Sequence, residues 1–277
     1  MARTITITPR SVLTVPVEVE ILSPDFLQNK TISEIESLPT MEGNRRRELR
    51  SLFEVEAGSH GDTDEVTLIL KGDFSKVKRI GKAMEKDSVL VQGNAGMYLG
   101  EDMKGGSIKV EGNSLSWAGT RMKGGVIDIY GDAGDFLGAS YRGSTVGMNG
   151  GLIKVRSNAG NEIGCWMRDG TIIVKGNVGL FPGMHMKKGT ILVEGNSDGR
   201  AGASMTGGRI VCLGNIGSIL PSFLFDDVRK DVKVEDQRIQ GPFYVFSGDA
   251  TGRGEGRLYA LIQNNSHLKE YERFVED

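Results

Sequence analysis

The chain is 277 residues long and nearly charge-balanced, with 34 basic and 36 acidic side chains and a formal net charge of −2. That balance gives no bulk electrostatic case for nucleic acid. No apolar run reaches a membrane span, residues 1–10 do not read as a signal peptide, and two cysteines exclude a disulfide framework and fit a reducing, cytoplasmic compartment.

In chain order, residues 3–8 and 13–22 are predicted to be extended. Thr31-Ile32-Ser33-Glu34 has the capping-box pattern and predicts a short helix ending before Pro39. Arg45 to Arg50 is a basic cluster, read as a solvated face rather than an anion site. Residues 1–65 carry no repeat and are expected to form an N-terminal cap or arm. Val66 to Leu70 is the lead-in strand.

From there to Asn215 the chain copies itself. Gly93-Asn94, Gly112-Asn113 and Gly131-Asp132 are 19 residues apart, and Ser157-Asn158, Gly176-Asn177, Gly195-Asn196 and Gly214-Asn215 resume the step. Met84, Met103, Met122, Met148, Met167, Met186 and Met205 run in phase. So do Gly81, Gly100, Gly119, Gly138, Gly164, Gly183 and Gly202. Each copy holds a short alternating run whose inward positions read Val89, Ile108, Ile127, Ile153, Ile172, Ile191, Ile210 and Val91, Val110, Ile129, Val155, Val174, Val193, Cys212. Alternating β-branched residues between glycines predict strands. A fixed period of this length predicts a solenoid.

The fold class expected is therefore all-β: a right-handed, single-stranded parallel β-helix of about seven turns over 66–215. Equivalent strands would lie about 4.8 Å apart. The methionines read as adaptable core filling rather than a metal stripe. The column Asn94, Asn113, Asp132, Asn158, Asn177, Asn196 reads as structural, because Asn and Asp tolerate the left-handed region and bond nearby backbone. The Gly-Gly pairs suit corners with positive φ. After Asn215 the repeat frays, and 216–277 is expected to be a C-terminal cap plus an arm, with strands near 241–246 and 257–262.

Two irregularities point towards function. The fourth copy has 26 residues, with seven extra between Gly138 and Met148 around Ser140, Tyr141 and Arg142. Insertions in solenoids map to loops, often on the binding face. Outward strand positions also turn apolar at Ile173, Leu192, Val211 and Leu213, which implies cover by another segment or a partner chain. Ser140, Tyr141, Arg142 and these four are the candidate partner interface. No catalytic, cofactor or metal residues emerge. His60, His185 and His267 are scattered, there is no cysteine cluster, and no nucleophile motif or phosphate loop stands out.

The repeated Gly-Asn-x5-Gly-x2-Met-x2-Gly-Gly-x-Ile-x-Val resembles the C-terminal β-helix domain of glutamate synthase. More closely it resembles the C subunit of formylmethanofuran dehydrogenase. Met97-Tyr98-Leu99-Gly100, Trp117-Ala118-Gly119, Asp132 to Gly138 and Ser140-Tyr141-Arg142-Gly143 carry that likeness, with Ile5 to Pro9 and Arg79-Ile80-Gly81. It implies a non-catalytic scaffold in a complex that reduces CO2 with ferredoxin electrons and forms formylmethanofuran in methanogenesis. It also implies partners holding the chemistry: a molybdenum or tungsten pterin subunit, an amidohydrolase-like subunit with a di-metal site, and ferredoxin-like iron–sulfur subunits. Three alternatives stand beside it: the C subunit of a bacterial formyltransferase/hydrolase complex, a free-standing glutamate synthase domain, and an independent β-helix enzyme acting on carbohydrate.

Overall fold

The computed structural model describes residues 2–19, 22–60, 65–252 and 254–274. Residues 20 and 21 of the extended stretch foreseen over 13–22 lie outside the described residues, as do 1, 61–64, 253 and 275–277 of the foreseen caps.

The strands are β1 (Ala2–Pro9), β2 (Val17–Glu18), β3 (Pro39–Glu42), β4 (Arg45–Glu48), β5 (Phe53–His60), β6 (Val66–Lys71) and β7 (Val77–Lys78). Then come β8 (Ser88–Gln92), β9 (Ser107–Val110), β10 (Val126–Ile129), β11 (Asn149–Val155), β12 (Asp169–Val174), β13 (Thr190–Val193) and β14 (Arg209–Cys212). The last are β15 (Leu224–Val234), β16 (Gln237–Gly248) and β17 (Gly256–Leu261). Among the described residues the α-helices are few and short, α1 (Pro24–Leu27), α2 (Ile32–Glu36) and α3 (Leu49–Leu52), and two 3-10 segments, Ile262–Asn264 and Ser266–Phe274, follow the last strand. α2 starts at Thr31, whose hydroxyl accepts from the Glu34 amide while Glu34 accepts from the Thr31 amide at 2.7 Å.

The chain is mostly β. Thirteen strands form one sheet in the order β15-β16-β17-β14-β13-β12-β11-β10-β9-β8-β6-β1-β5, and β4-β3-β2-β7 form a second. From β6 through β14 the large sheet is parallel and in register, so Val89, Ile108, Ile127, Ile153, Ile172, Ile191 and Ile210 face one another in turn. A second parallel column of single bridges joins Phe74, Ala95, Ser114, Ala133, Ala159, Val178, Ser197 and Ile216. A third station lies at the glycines, where Gly100, Gly119, Gly138, Gly164 and Gly183 each donate to a carbonyl of the preceding copy at 2.7–2.8 Å. Each copy is therefore bonded to its neighbour at three places.

The core follows from that register. The aliphatic columns and the seven in-phase methionines, Met84 to Met205, are buried. Two glycines show why the spacing is strict. Gly119 has φ +66, and a Cβ there would lie 2.3 Å from Ile153 Cδ1 of the following copy. A Cβ on Gly125 would lie 2.7 Å from Met103 Cε, so the second glycine of each pair also makes room for a methionine. On the surface, each Asn or Asp side-chain oxygen accepts the amide of its counterpart in the next copy, from Asn94–Asn113 at 2.9 Å to Asn196–Asn215 at 2.8 Å.

Beyond the repeat, β17 pairs in parallel with β14, so Leu258 continues the isoleucine column. β16 runs antiparallel to β17 and then, with β15, folds back over the outer sheet face. Val232, Val234, Phe243, Val245 and Tyr259 pack there on Leu192 and Val211, with Ile173 and Leu213 at the margin. Of the two covers expected over Ile173, Leu192, Val211 and Leu213, another segment or a partner chain, a segment of this chain is the one seen at Leu192 and Val211. The hairpin removes Leu192 and Val211 from water, which is the favourable burial an outward aliphatic patch calls for, while Ile173 and Leu213 stay partly exposed at its edge.

Candidate functional site

The insertion leaves the stack undisturbed. In ordinary copies the methionine amide donates to the glycine carbonyl three residues back, as Met103 does to Gly100 at 3.2 Å. In the fourth copy Met148 makes the same bond to Gly138 at 2.8 Å. The seven extra residues leave and re-enter at that closed base.

The loop does not stand free. Ser140 is buried and its amide donates to the Cys165 carbonyl at 3.0 Å. Tyr141 folds back and its hydroxyl donates to the Glu101 carboxylate, a very short contact. Glu101 is only 2% exposed and also accepts from Arg79 Nη1 at 3.0 Å. Burial, and then the bond to Glu101, push the Tyr141 hydroxyl far above its ordinary pKa, so it remains a neutral donor. Arg121 pairs with Asp102 and lies over the Tyr141 ring, 5.1 Å from its centroid. Arg142 is the exposed member, 5.6 Å from the Phe136 centroid.

Beneath the loop runs a column of rings. Tyr98, Trp117 and Phe136 occupy equivalent positions with φ +63 to +64. They stack at centroid distances of 5.4 and 4.6 Å. Trp166 and His185 form a shorter column at 4.2 Å. The 19-residue step carried the signal for both columns, because equivalent positions in a stack of parallel copies lie one above another. Reading only strands, glycines and methionines passed over them. Among the described residues the buried Trp117 Nε1 and Arg121 Nε have no hydrogen-bond partner, which costs about 1–3 kcal/mol each. The cluster is thus held by more than its own hydrogen bonds.

The structure brings Ser140, Tyr141 and Arg142 together with Arg79, Tyr98, Glu101 and Arg121, and keeps Ile173, Leu192, Val211 and Leu213 apart from them beneath the hairpin. Met103, Met122, Met148, Met167, Met186 and Met205 are all core. The side chain of His60 is outside the described residues, and His267 bonds the Ile216 carbonyl at 3.0 Å. Among the described residues no group of three His, Cys, Asp or Glu could hold a metal ion, and no helix is long and apolar enough to cross a membrane. Cys165 and Cys212 are free thiols pushed up to about 12, mainly by burial. As geometry, this cluster can orient an arginine and a ring face for recognition.

No family model matches the chain. It is 43% identical over 96 residues to the C subunit of the tungsten-containing formylmethanofuran dehydrogenase 2 of Methanothermobacter wolfeii, a match over 35% of this chain and 36% of that one. It is 39% identical over 92 residues to the C subunit of the molybdenum-containing formylmethanofuran dehydrogenase 1 of Methanothermobacter marburgensis, over 33% of this chain and 22% of that one. The chain thus spans about a third or less of the length of the curated relatives it matches. A chain of the crystal structure of the formyltransferase/hydrolase complex of Methylorubrum extorquens, determined with methylofuran, is similar across most of the fold. Its TM-score is 0.79 at 26% identity, covering 92% of this chain and 99% of that one.

Proposed function

We propose that this chain is the C subunit of a formylmethanofuran dehydrogenase complex, a non-catalytic scaffold in the cytoplasmic reduction of CO2 to formylmethanofuran. The observation that carries the reading is the match to curated C subunits of both the tungsten and the molybdenum enzymes. On this reading the stack is a right-handed parallel β-helix of about seven turns over 66–215, capped by 1–65 and 216–277. The partners are a molybdenum or tungsten pterin subunit, an amidohydrolase-like subunit with a di-metal site, and ferredoxin-like subunits with iron–sulfur clusters. Arg142, presented by a loop that Tyr141 anchors, is the partner contact. Ser140 and Tyr141 position it.

The C subunit of a bacterial formyltransferase/hydrolase complex is the second reading, favoured by structural overlap along nearly the whole of that chain. One experiment separates them: purify the tagged chain from its native cell and measure the metals and activities of what comes with it. Tungsten or molybdenum with iron–sulfur clusters supports the first reading. Formyl transfer without either metal supports the second. Recovery of the chain alone would sink both.

A further inference from the structure

A cavity of about 700 Å³ opens where the folded-back hairpin meets the ends of the last repeat strands. Its lining includes Lys188, Thr190, Arg209, Arg229, Arg257 and Tyr259. The parallel register builds much of it. Thr171, Thr190, Arg209 and Arg257 are direct neighbours on β12, β13, β14 and β17. In the lower copies the same position holds Ser88, Ser107, Val126 and Leu152. Cations therefore appear there only at the top of the stack, and Arg229 is added from β15.

Two features of this cavity call for an anion. Arg209 and Arg257 lie side by side on adjacent strands, and although Asp226 pairs with Arg257 and Asp227 with Arg229, among the described residues Arg209 has no carboxylate partner to offset its like-charged neighbour. Thr190 is 9% exposed and Tyr259 is 8% exposed. Both residues line the cavity, and neither hydroxyl is among the buried polar atoms left without a partner, so each opens into the cavity and can donate to a ligand there. Two carboxylates share the lining, Asp169 and Glu235. Both are engaged: Asp169 accepts the Gly170 amide at 2.8 Å and Glu235 accepts the Thr171 hydroxyl. Arg257 also reaches Asp226 at 3.2 Å, and Arg209 Nη1 reaches the Lys233 carbonyl at 2.9 Å. Each guanidinium carries five donors, so both keep donors for a ligand. Among the described residues Lys188 has no carboxylate partner.

We propose that this cavity binds a small oxyanion, a phosphate or a carboxylate group, held between the Arg209 and Arg257 guanidiniums and the Lys188 ammonium, with the Thr190 and Tyr259 hydroxyls donating to its oxygens. Bidentate guanidinium donation and hydroxyl donors suit a compact, multiply charged oxygen cluster. Because the site joins β15 to β14 and β17, an anion there would also tie the hairpin to the stack.

The test is calorimetric titration of the full chain with inorganic phosphate and, separately, with succinate, at constant ionic strength so that general screening is held fixed. Saturable binding of either anion at one equivalent is expected. Phosphate alone would assign the site to phosphate esters, and succinate alone to carboxylates. Lys188→Ala combined with Tyr259→Phe should weaken binding by about tenfold or more, whereas Lys109→Ala, on the open face of β9, should not change it. Thr190→Val serves as a second variant, since it removes only the hydroxyl. Absence of saturable binding of both anions, or equal binding by the cavity variants and the parent, would overturn the proposal.

Discussion

Ile127 shows how one side chain is constrained. It lies between Ile108 and Ile153 in the register, is fully buried, and its Cδ1 is where a Cβ on Gly100 would intrude, at 2.6 Å. Ile127→Asp would place an unpaired carboxylate among stacked aliphatics and should cost several kcal/mol, on the order of 4 or more. Lys109 is exposed, with its ammonium 4.7 Å from the Tyr130 centroid, so Lys109→Ala should cost about 0.5–1 kcal/mol. Urea melts of the two variants check this, and equal stability would mean that the inward and outward positions had been exchanged.

Elements show how the stack tolerates an insertion and how it ends. The loop at 139–147 would be a free tip if its side chains faced water, but Tyr141 reaches two copies back to a buried carboxylate. Tyr141→Phe keeps the ring contact with Tyr98 at 5.6 Å and removes the donor to Glu101. It should destabilise the chain by about 1–3 kcal/mol while Tyr141→Ala costs more, an order that thermal melts would reverse if the loop were only a surface appendage.

The far end uses side chains in place of the missing next copy. His185 donates its amide to the Ala203 carbonyl at 2.8 Å, but Ser204 donates instead to Asp249 Oδ2 at 2.8 Å. Likewise Ile216 donates to Asn265 Oδ1 at 2.8 Å, where Ala95 uses the Asn113 carbonyl. Burial alone would raise the Asp249 pKa, yet hydrogen bonds from Thr251, Ser222 and Ser204 hold it below the ordinary carboxylate value. A depressed folded pKa means that Asp249 contributes its full stability above the unfolded value. That contribution is lost as the pH falls through the lowered one. Protection of the Ser204 and Thr251 amides, taken relative to the intrinsic exchange rate at each pH, should therefore fall on acidification in the parent and be insensitive to the same pH step in Asp249→Ala.

At the scale of the molecule, the hairpin β15–β16 decides which surface is left for others. Its tip is held by Glu235 accepting from Thr171 and by Arg209 donating to the Lys233 carbonyl, and its apolar side covers Leu192 and Val211. A carboxylate in place of Val234, which is buried in that contact, should lift the hairpin and re-expose the patch. Val234→Asp is expected to bind a hydrophobic dye and to self-associate on size exclusion, with a loss of about 2–4 kcal/mol. A monomeric, dye-silent variant would show that the patch has other cover.

The linear order of residues by itself determined the repeat, the strand in each copy, the inward columns and the place of the insertion. All of these are periodic, and periodicity survives in one dimension. Asn113, Met122 and Gly119 could be assigned to columns because each is defined by its offset from the copy before. Only the tertiary structure decided what covers Leu192, what Tyr141 bonds and what sets Arg209 beside Arg257. Those contacts join residues 24 to 64 positions apart or bring a non-repeating strand onto the end of the stack. No offset encodes them, because they depend on where a hairpin folds back and which buried polar group lies within reach.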